Sequence, residues 1–214
     1  MSVPAESIFF DLWSATYDRP GLQQATYRPI HNAVLARLEG ARPERILDLG
    51  CGTGQLTERL ATTFPDANVV GADLSNGMIE RAAERLVDDD TTDFVRADAQ
   101  HLPIAGGTFD VVTCTESFHW YADQQAAAAE LARLVKPGGR VIIASIATVT
   151  GFADDAIQRA TALAGRPVKA IPKRELRRLL AEAGFDVRHQ GRIPRLGFVP
   201  WPVLTDATRF SSDL

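Results

Sequence analysis

Cysteine and histidine are scarce in this chain of 214 residues, which contains two cysteines and four histidines. A structural zinc site needs four ligands drawn largely from these two residue types, and no cluster in the sequence has that spacing. Two cysteines are also too few for a disulfide-stabilised scaffold, and they suit a reducing compartment. We therefore expect no metal site. A redox pair of Cys51 and Cys114 is an alternative if the two lie at the ends of adjacent strands.

Long apolar segments, repeats and targeting signals are also lacking. No run approaches the ~18 apolar residues of a membrane-spanning helix. The first residues, MSVPAES, have neither the basic start nor the apolar stretch of a secretory signal, so we expect a cytoplasmic protein. A hydrophobic content of 45% in a chain of this length can form the core of an α/β domain. We expect one domain over residues 1–214.

A glycine-rich turn follows a short apolar segment in residues 46–57, which read ILDLGCGTGQLT. The apolar residues are typical of a parallel strand covered on both faces. Gly50, Gly52 and Gly54 give the turn the conformational freedom and the missing side chains that a closely bound ligand needs. Residues 55–64 then predict a helix. A dinucleotide site would have its third glycine one residue later, and a carboxylate of Asp48 pointing into the loop would favour a cationic ligand over a pyrophosphate.

This turn resembles the first motif, D-x-G-x-G-x-G, of the class I S-adenosylmethionine (SAM)-dependent methyltransferases. Three later motifs in matching order extend the resemblance over roughly residues 47–145, and the similarity includes the small-molecule group to which ubiquinone and menaquinone biosynthesis enzymes belong. The resemblance implies an α/β fold with a doubly wound, mostly parallel seven-stranded sheet and an N-terminal helical lid. It also implies SAM as the cofactor and S-adenosylhomocysteine (SAH) as its product. Both ligands carry an ammonium group, and SAM adds a sulfonium.

Acidic residues end the predicted strands. Residues 69–73 predict a second strand ending in Asp73, which lies 19 residues after Gly54, where a cofactor ribose needs a carboxylate. Ser75 is the better candidate for the cap of the next helix. Strands are also predicted at 94–99 and 109–116, and residues 134–144 form a turn that leads into a fifth strand. The resemblance implies that the cofactor contacts are Asp48, Gly50, Cys51, Gly52, Gly54, Asp73, Leu74, Met78, Asp98, Ala99 and Glu116.

Some of these residues have simpler interpretations. Met78 is equally typical of a helix core, and Asp98 of an ordinary loop. Among the histidines, His119 is the best candidate for a catalytic base, because its ordinary pKa is near neutrality and it follows the fourth strand. The alternative is that His119 only closes the pocket wall.

Aromatic residues are concentrated around the predicted acceptor pocket, although aromatics are only 7% of the chain. Trp120 and Tyr121 follow the fourth strand. Trp13 and Tyr17 belong to a predicted helix at residues 7–17, which with a second at 27–38 forms the lid over residues 1–40. We expect these four residues to contact the methyl acceptor, although those of the lid can instead simply pack on the sheet.

The C-terminal part follows a SAM-binding core that we place at residues 45–146. In residues 147–214 the sequence predicts an amphipathic helix at 172–184, starting with proline and ending with glycine, and a strand at 185–189. Pro194, Pro200 and Pro202 leave the final strand in doubt. The last 50 residues carry 10 basic and 5 acidic side chains. We attribute this excess to a solvated helix face rather than to nucleic-acid binding.

The predicted function is SAM-dependent methyl transfer to a small, apolar or aromatic acceptor. Three alternatives stay open from the sequence. They are a methyltransferase acting on protein or RNA, a methyltransferase-like subunit that binds SAM without turnover, and an NAD-dependent oxidoreductase. The sequence identifies neither the acceptor nor the oligomeric state.

Overall fold

The structure is a computed structural model that describes residues 26–87, 89–146, 168–194 and 201–211. The predicted lid helix at residues 7–17 lies outside these ranges, as do Trp13 and Tyr17. In chain order the described elements are α1 (Arg28–Arg37), β1 (Arg45–Leu49), α2 (Gln55–Thr63), β2 (Asn68–Asp73), α3 (Asn76–Arg85), β3 (Thr92–Arg96), β4 (Phe109–Thr115), a single 3₁₀ turn (Phe118–Trp120), α4 (Gln124–Leu134), β5 (Val135–Ile146), α5 (Lys173–Glu182), β6 (Phe185–Arg192) and β7 (Pro202–Arg209).

The strands form one seven-stranded sheet in the order β3-β2-β1-β4-β5-β7-β6. Strands β1 to β5 pair in parallel, whereas β7 is antiparallel to both of its neighbours, β5 and β6. Strands β2 and β3 lie on one side of β1, whereas β4 and the later strands lie on the other side. The gap between β1 and β4 is therefore the switch point at which open α/β sheets bind their ligands. The predicted doubly wound, mostly parallel sheet is confirmed.

The final strand, which the sequence left in doubt, is present as β7. Pro202 is its first residue and pairs with Ile146 of β5, at a position where proline is tolerated because the ladder is only beginning. Its carbonyl accepts a hydrogen bond from the Ile193 amide at 2.9 Å, which continues the pairing with β6.

Two apolar layers cover the sheet, one on each face. Ile46 packs with α1 and α2, whereas its neighbours Leu47 and Leu49 pack with α4 and α5, as the two-residue period of a strand dictates. All three side chains are buried because helices lie on both faces. Burying β1 on both sides fixes the position from which the glycine turn emerges.

The helix boundaries follow their capping residues. Ser75 caps α3 by accepting a hydrogen bond from the Met78 amide at 3.2 Å, as predicted. Asp123 caps α4, for which the sequence analysis made no prediction, by accepting from the amides of Gln125 and Ala126. Helix α5 lies within the predicted amphipathic helix, and its Leu176, Leu179 and Leu180 are buried. Among the described residues there is no helix with the length and apolarity needed to span a membrane.

Candidate functional site

The glycine turn joins β1 to α2 at the carboxyl edge of the sheet. Gly50, Gly52 and Gly54 have φ angles of 72°, 55° and 77°, in the left-handed region that side chains rarely adopt. The amides of Gly50 and Cys51 donate to the carbonyl of Ala72 at 2.7 and 3.1 Å. These bonds hold the turn against the end of β2.

The three glycines differ in what a side chain would contact. A Cβ at Gly50 would lie 2.3 Å from the hydroxyl oxygen of Ser117, and one at Gly54 would lie 3.0 Å from the Cβ of Ala82. A Cβ at Gly52 would have no described atom within 4 Å. Packing therefore requires glycine at two of the positions, whereas Gly52 faces space through which a ligand can approach the backbone. This arrangement fits a cofactor held close to the turn.

Asp73 ends β2 and connects the glycine turn to α3. One carboxylate oxygen accepts from the Gly52 amide at 3.0 Å, and the other accepts from the Ser75 amide at 2.9 Å. The structure thus brings Asp73 beside the turn, as its position in the sequence indicated. The carbonyl of the next residue, Leu74, accepts a hydrogen bond from the Arg96 side chain at 3.1 Å. Met78 is buried in the first turn of α3. Contacts of these residues with a ribose or adenine stay predictions.

Asp48 differs from the sequence expectation, because its carboxylate does not point into the loop. The residue is 1% exposed, and its two oxygens accept hydrogen bonds from the hydroxyls of Thr57 and Thr113, both at 2.8 Å. Burial raises the pKa of Asp48 to about 6 against the opposing effect of these hydroxyls, and the charge of Asp73 adds a smaller increase. Any attraction for a cationic ligand therefore acts from beneath the turn rather than by direct contact.

The opposite wall of the turn contains a residue that the sequence analysis missed, Ser117. Its hydroxyl donates to the Leu49 carbonyl at 3.2 Å, and it lies 3.0 Å from the Tyr121 hydroxyl and 3.1 Å from the Cys114 sulfur. The Tyr121 hydroxyl therefore lies against the glycine turn, 3.3 Å from where a Cβ at Gly50 would be, whereas the sequence predicts this residue at the acceptor. Burial raises the pKa of Tyr121 well above its ordinary value of 10, so the phenol stays protonated at neutral pH.

Both cysteines are buried and free. Burial raises the pKa of Cys114 to about 11 and that of Cys51 well above its usual range, with smaller contributions from the nearby carboxylates. Two protonated, buried thiols are poor nucleophiles. This environment argues against the redox-pair alternative, and the Cys51 sulfur instead packs 3.1 Å from where a Cβ at Gly71 would lie.

The remaining predicted cofactor residues lie at the ends of β3 and β4. Asp98 is exposed, and its carboxylate accepts from the backbone amide of Gln100 at 2.9 Å, whereas Ala99 is buried. Glu116 follows β4 with a φ of 53°, and it is the one non-glycine residue of positive φ in the part of the chain that the structure describes. Its amide donates to the Ala144 carbonyl of β5 at 2.7 Å. Non-glycine residues held in this region of backbone space are enriched at functional sites.

His119 lies on the 3₁₀ turn that follows β4 and is 2% exposed. Its Nδ1 is 3.1 Å from the hydroxyl oxygen of Ser145, near the end of β5, and its ring centre is 5.1 Å from that of Trp120. The backbone carbonyl of His119 also accepts from the Lys169 amide at 2.8 Å. Ser145 was not predicted, because the contact joins residues that are distant in sequence.

Comparisons with known proteins show the family to which the chain is similar. A family model described as a methyltransferase domain matches residues 47–143, which include the glycine turn, Asp73, Asp98 and Glu116. A demethylmenaquinone methyltransferase of Thermus thermophilus is 35% identical over 182 residues, covering 74% of this chain and 81% of the relative. A malonyl-[acyl-carrier protein] O-methyltransferase of Geobacter sulfurreducens is 32% identical over 187 residues, covering 79% of this chain and 68% of the relative.

The chain spans only between 50% and 58% of the length of three other curated relatives. Among solved structures, an N-methyltransferase of Bradyrhizobium japonicum in complex with SAH superposes with a TM-score of 0.76 at 17% identity, covering 95% of this chain and 97% of that one. An identity this low shows a shared fold alone. The glycine turn, the family match and the two relatives of which the chain covers two thirds or more together show that the chain belongs to the class I SAM-dependent methyltransferases, with SAM as its cofactor.

Proposed function

We propose that this protein transfers a methyl group from SAM to a small acceptor of apolar or aromatic character. The observation that carries the proposal is the geometry at Gly52, where the backbone borders open space among the described residues and the Asp73 carboxylate binds the same amide. Bound SAM supplies an already activated methyl group, so the protein has to orient the acceptor and exclude water.

The proposed cofactor contacts divide by the part of SAM that they meet. Asp73 is assigned to the ribose hydroxyls, since a carboxylate offers about four acceptor positions and can bind backbone amides and a ligand together. Asp98 and Ala99 are assigned to the adenine, with Met78 packing nearby. Asp48 and Glu116 contribute negative charge toward the cationic end of the cofactor. The turn itself supplies Gly50, Cys51, Gly52 and Gly54, with Leu74 beside Asp73.

For acceptors that must lose a proton, we assign the base to His119 and its orientation to Ser145. The contact between Nδ1 and the Ser145 hydroxyl fixes the ring, and the proton is taken at Nε2. Trp120 packs against the histidine ring and is assigned to the acceptor wall. Tyr121 supports this wall from the cofactor side through Ser117. Trp13 and Tyr17 complete the proposed pocket from a segment outside the described residues.

Methyl transfer can be tested without knowing the acceptor. The protein is incubated with SAM labelled in its methyl group and with a metabolite extract, and SAH is measured. We expect SAH formation that matches label in a small, organic-extractable product. Label in RNA or protein would favour a macromolecular acceptor, and tight SAM binding with no SAH formation from any extract would favour a regulatory subunit.

The base assignment predicts that His119→Ala lowers turnover by roughly 10²–10⁴-fold while SAM affinity changes little. Ser145→Ala should cause a smaller loss of turnover and shift its pH profile, because Ser145 acts only through the imidazole. His189→Ala, at an exposed position on the edge strand β6, is the control and should be silent. A loss confined to the KM of the acceptor would instead assign His119 to the pocket wall.

We also propose a cytoplasmic location. It is supported by the two free, buried thiols, which are typical of proteins from reducing compartments.

A further inference from the structure

A groove of about 450 Å³ runs along the outer face of α2 and begins at Gln55, the residue that follows the glycine turn. Residues of α2 that point inward, such as Leu56 and Leu60, are buried, whereas the groove is formed by those that point outward. Helix α1 forms the other side, and one residue of α3 closes an end. The lining consists of Arg28, His31, Leu35, Gln55, Glu58, Arg59, Thr62, Thr63 and Arg85.

The charge of this groove is opposite to that of the protein, whose formal net charge is −4. Three arginines face one carboxylate, Glu58, which lies 3.4 Å from Arg85. Burial lowers the pKa of His31 to about 4, with a smaller contribution from Arg59, so the imidazole is neutral at pH 7. The groove therefore has a net positive charge, and Arg28 and Arg59 have no carboxylate partner among the described residues.

The guanidinium group of Arg59 is held by one hydrogen bond but has a buried nitrogen without one in the described part of the chain. Its Nη2 donates to the Asn32 side chain at 2.7 Å, whereas its Nη1 is buried and has no hydrogen-bond partner among the described residues. Burial and the neighbouring charge of Arg28 both lower the pKa of Arg59. A buried guanidinium nitrogen beside a second arginine is costly unless an anion binds there.

We propose that this groove between α1 and α2 is a binding site for a phosphorylated small molecule, separate from the methyl-transfer site. The planar donors of arginine match phosphate oxygens in pairs, and three arginines line this groove. The volume exceeds that of an inorganic ion and falls in the range of small-molecule sites. The groove therefore has room for an organic part beside the phosphate.

The test uses inorganic pyrophosphate as the probe and calorimetry in a low-salt, phosphate-free buffer. We expect one saturable site in the wild-type protein. Arg59→Gln should weaken binding by about tenfold to a hundredfold, as expected for charge-assisted hydrogen bonds. Arg174→Gln, which removes the same charge from an exposed position on α5, is the matched control and should leave binding unchanged.

Thermal stability and competition with SAH test the same site independently. Pyrophosphate should raise the melting temperature of the wild-type protein but not that of Arg59→Gln; Arg28→Gln, at an exposed position, replaces this variant if it fails to fold. Pyrophosphate binding should also persist in protein saturated with SAH. Competition with SAH would assign the arginines to the cofactor site, and equal losses in Arg59→Gln and Arg174→Gln would show only diffuse charge attraction. Either result, or no saturable binding, overturns the proposal.

Discussion

Single carboxylates hold the glycine turn in this protein, and Asp73 is the one with the most direct contacts. It binds the amides of Gly52 and Ser75 and so joins the turn to the cap of α3. Because hydrogen bonds to a charged group contribute about 1.5–3 kcal/mol, we expect Asp73→Ala to weaken SAM binding by about ten- to a hundredfold in calorimetry. Asp93→Ala, exposed on the neighbouring strand β3, is the control. Unchanged affinity in Asp73→Ala would remove this residue from the site.

Asp48 acts through its charge, and its pKa gives that charge a pH dependence. Its pKa is about 6 in the folded protein against an ordinary value of 3.8, so the folded state retains the proton longer. The contribution of Asp48 to stability is therefore highest below pH 3.8 and is lost as the pH rises through 6. The loss amounts to roughly 3 kcal/mol in the ligand-free protein.

A cationic ligand reverses this preference, since it favours the ionised carboxylate. We expect the affinity for SAM to rise by about tenfold between pH 5 and pH 7, with proton release on binding at the lower pH. Calorimetry in buffers of different ionisation enthalpy measures both quantities. In Asp48→Asn the rise should disappear; one of the two threonine hydroxyls keeps an acceptor oxygen, and the other can accept from the new amide NH₂ group. The same rise in Asp48→Asn would assign the titration to another group.

At the scale of elements, the turn between β1 and α2 contains one glycine that packing requires, Gly50, and one that borders open space within the described ranges, Gly52. Gly50→Ala should lower the free energy of unfolding by about 2–4 kcal/mol, since a left-handed φ is combined with a clash against Ser117. Gly52→Ala should cost only about 1–2 kcal/mol but weaken SAM binding more than tenfold. Gly40→Ala, at a φ of 75° with no described atom within 4 Å of its Cβ, is the control for backbone strain.

The comparison with Gly40→Ala decides between two reasons for a glycine at position 52, which are room for the cofactor and backbone strain. If both variants lose the same stability and only Gly52→Ala loses SAM, the space above Gly52 belongs to the cofactor. If Gly52→Ala binds SAM normally, the ligand does not approach the backbone at this point. Glycine at position 52 then serves only the left-handed backbone conformation of the turn.

Elements with a strong local signal were predictable from the sequence. Helices α1, α2 and α5 begin and end within one or two residues of the predicted ranges, because apolar period, proline and glycine agree there. Helix α4 was missed because its alanine-rich inner face gives little periodic contrast, although Asp123 marks its start. The start of β7 was obscured by Pro202, whose tolerance at a first strand position depends on the sheet around it.

The site was predictable only where its residues are neighbours in sequence. The glycine turn and Asp73 could be identified from motif and spacing. The hydroxyl groups of Thr113, Ser117 and Ser145 could not, because each contacts a residue on another element, such as Asp48 at a separation of 65 positions. The orientation of Asp48 was mispredicted for the same reason. Its hydroxyl partners come from α2 and β4, and only the folded sheet brings them together.

At the scale of the whole molecule, one buried carboxylate links elements from both ends of the described chain. Asp206, 1% exposed in β7, accepts hydrogen bonds from Arg37 of α1 at 2.9 Å and from Arg140 of β5 at 2.8 Å. Arg140 also donates to the Arg37 carbonyl at 2.7 Å. This cluster fastens the antiparallel β6–β7 pair to the parallel part of the sheet, which would otherwise end with β5 as an open edge.

We expect Asp206→Asn to lower the free energy of unfolding by about 1–3 kcal/mol, below the value for a fully buried pair because both arginines are partly exposed. Urea denaturation measures the change. Arg188→Ala, which removes an exposed pair with Asp186, is the control and should cost at most about 0.5 kcal/mol. Since Asp206 contacts none of the proposed cofactor residues, SAM affinity of the folded variant should be unchanged. A large loss of affinity with little loss of stability would mean that the closing strands shape the cofactor site directly.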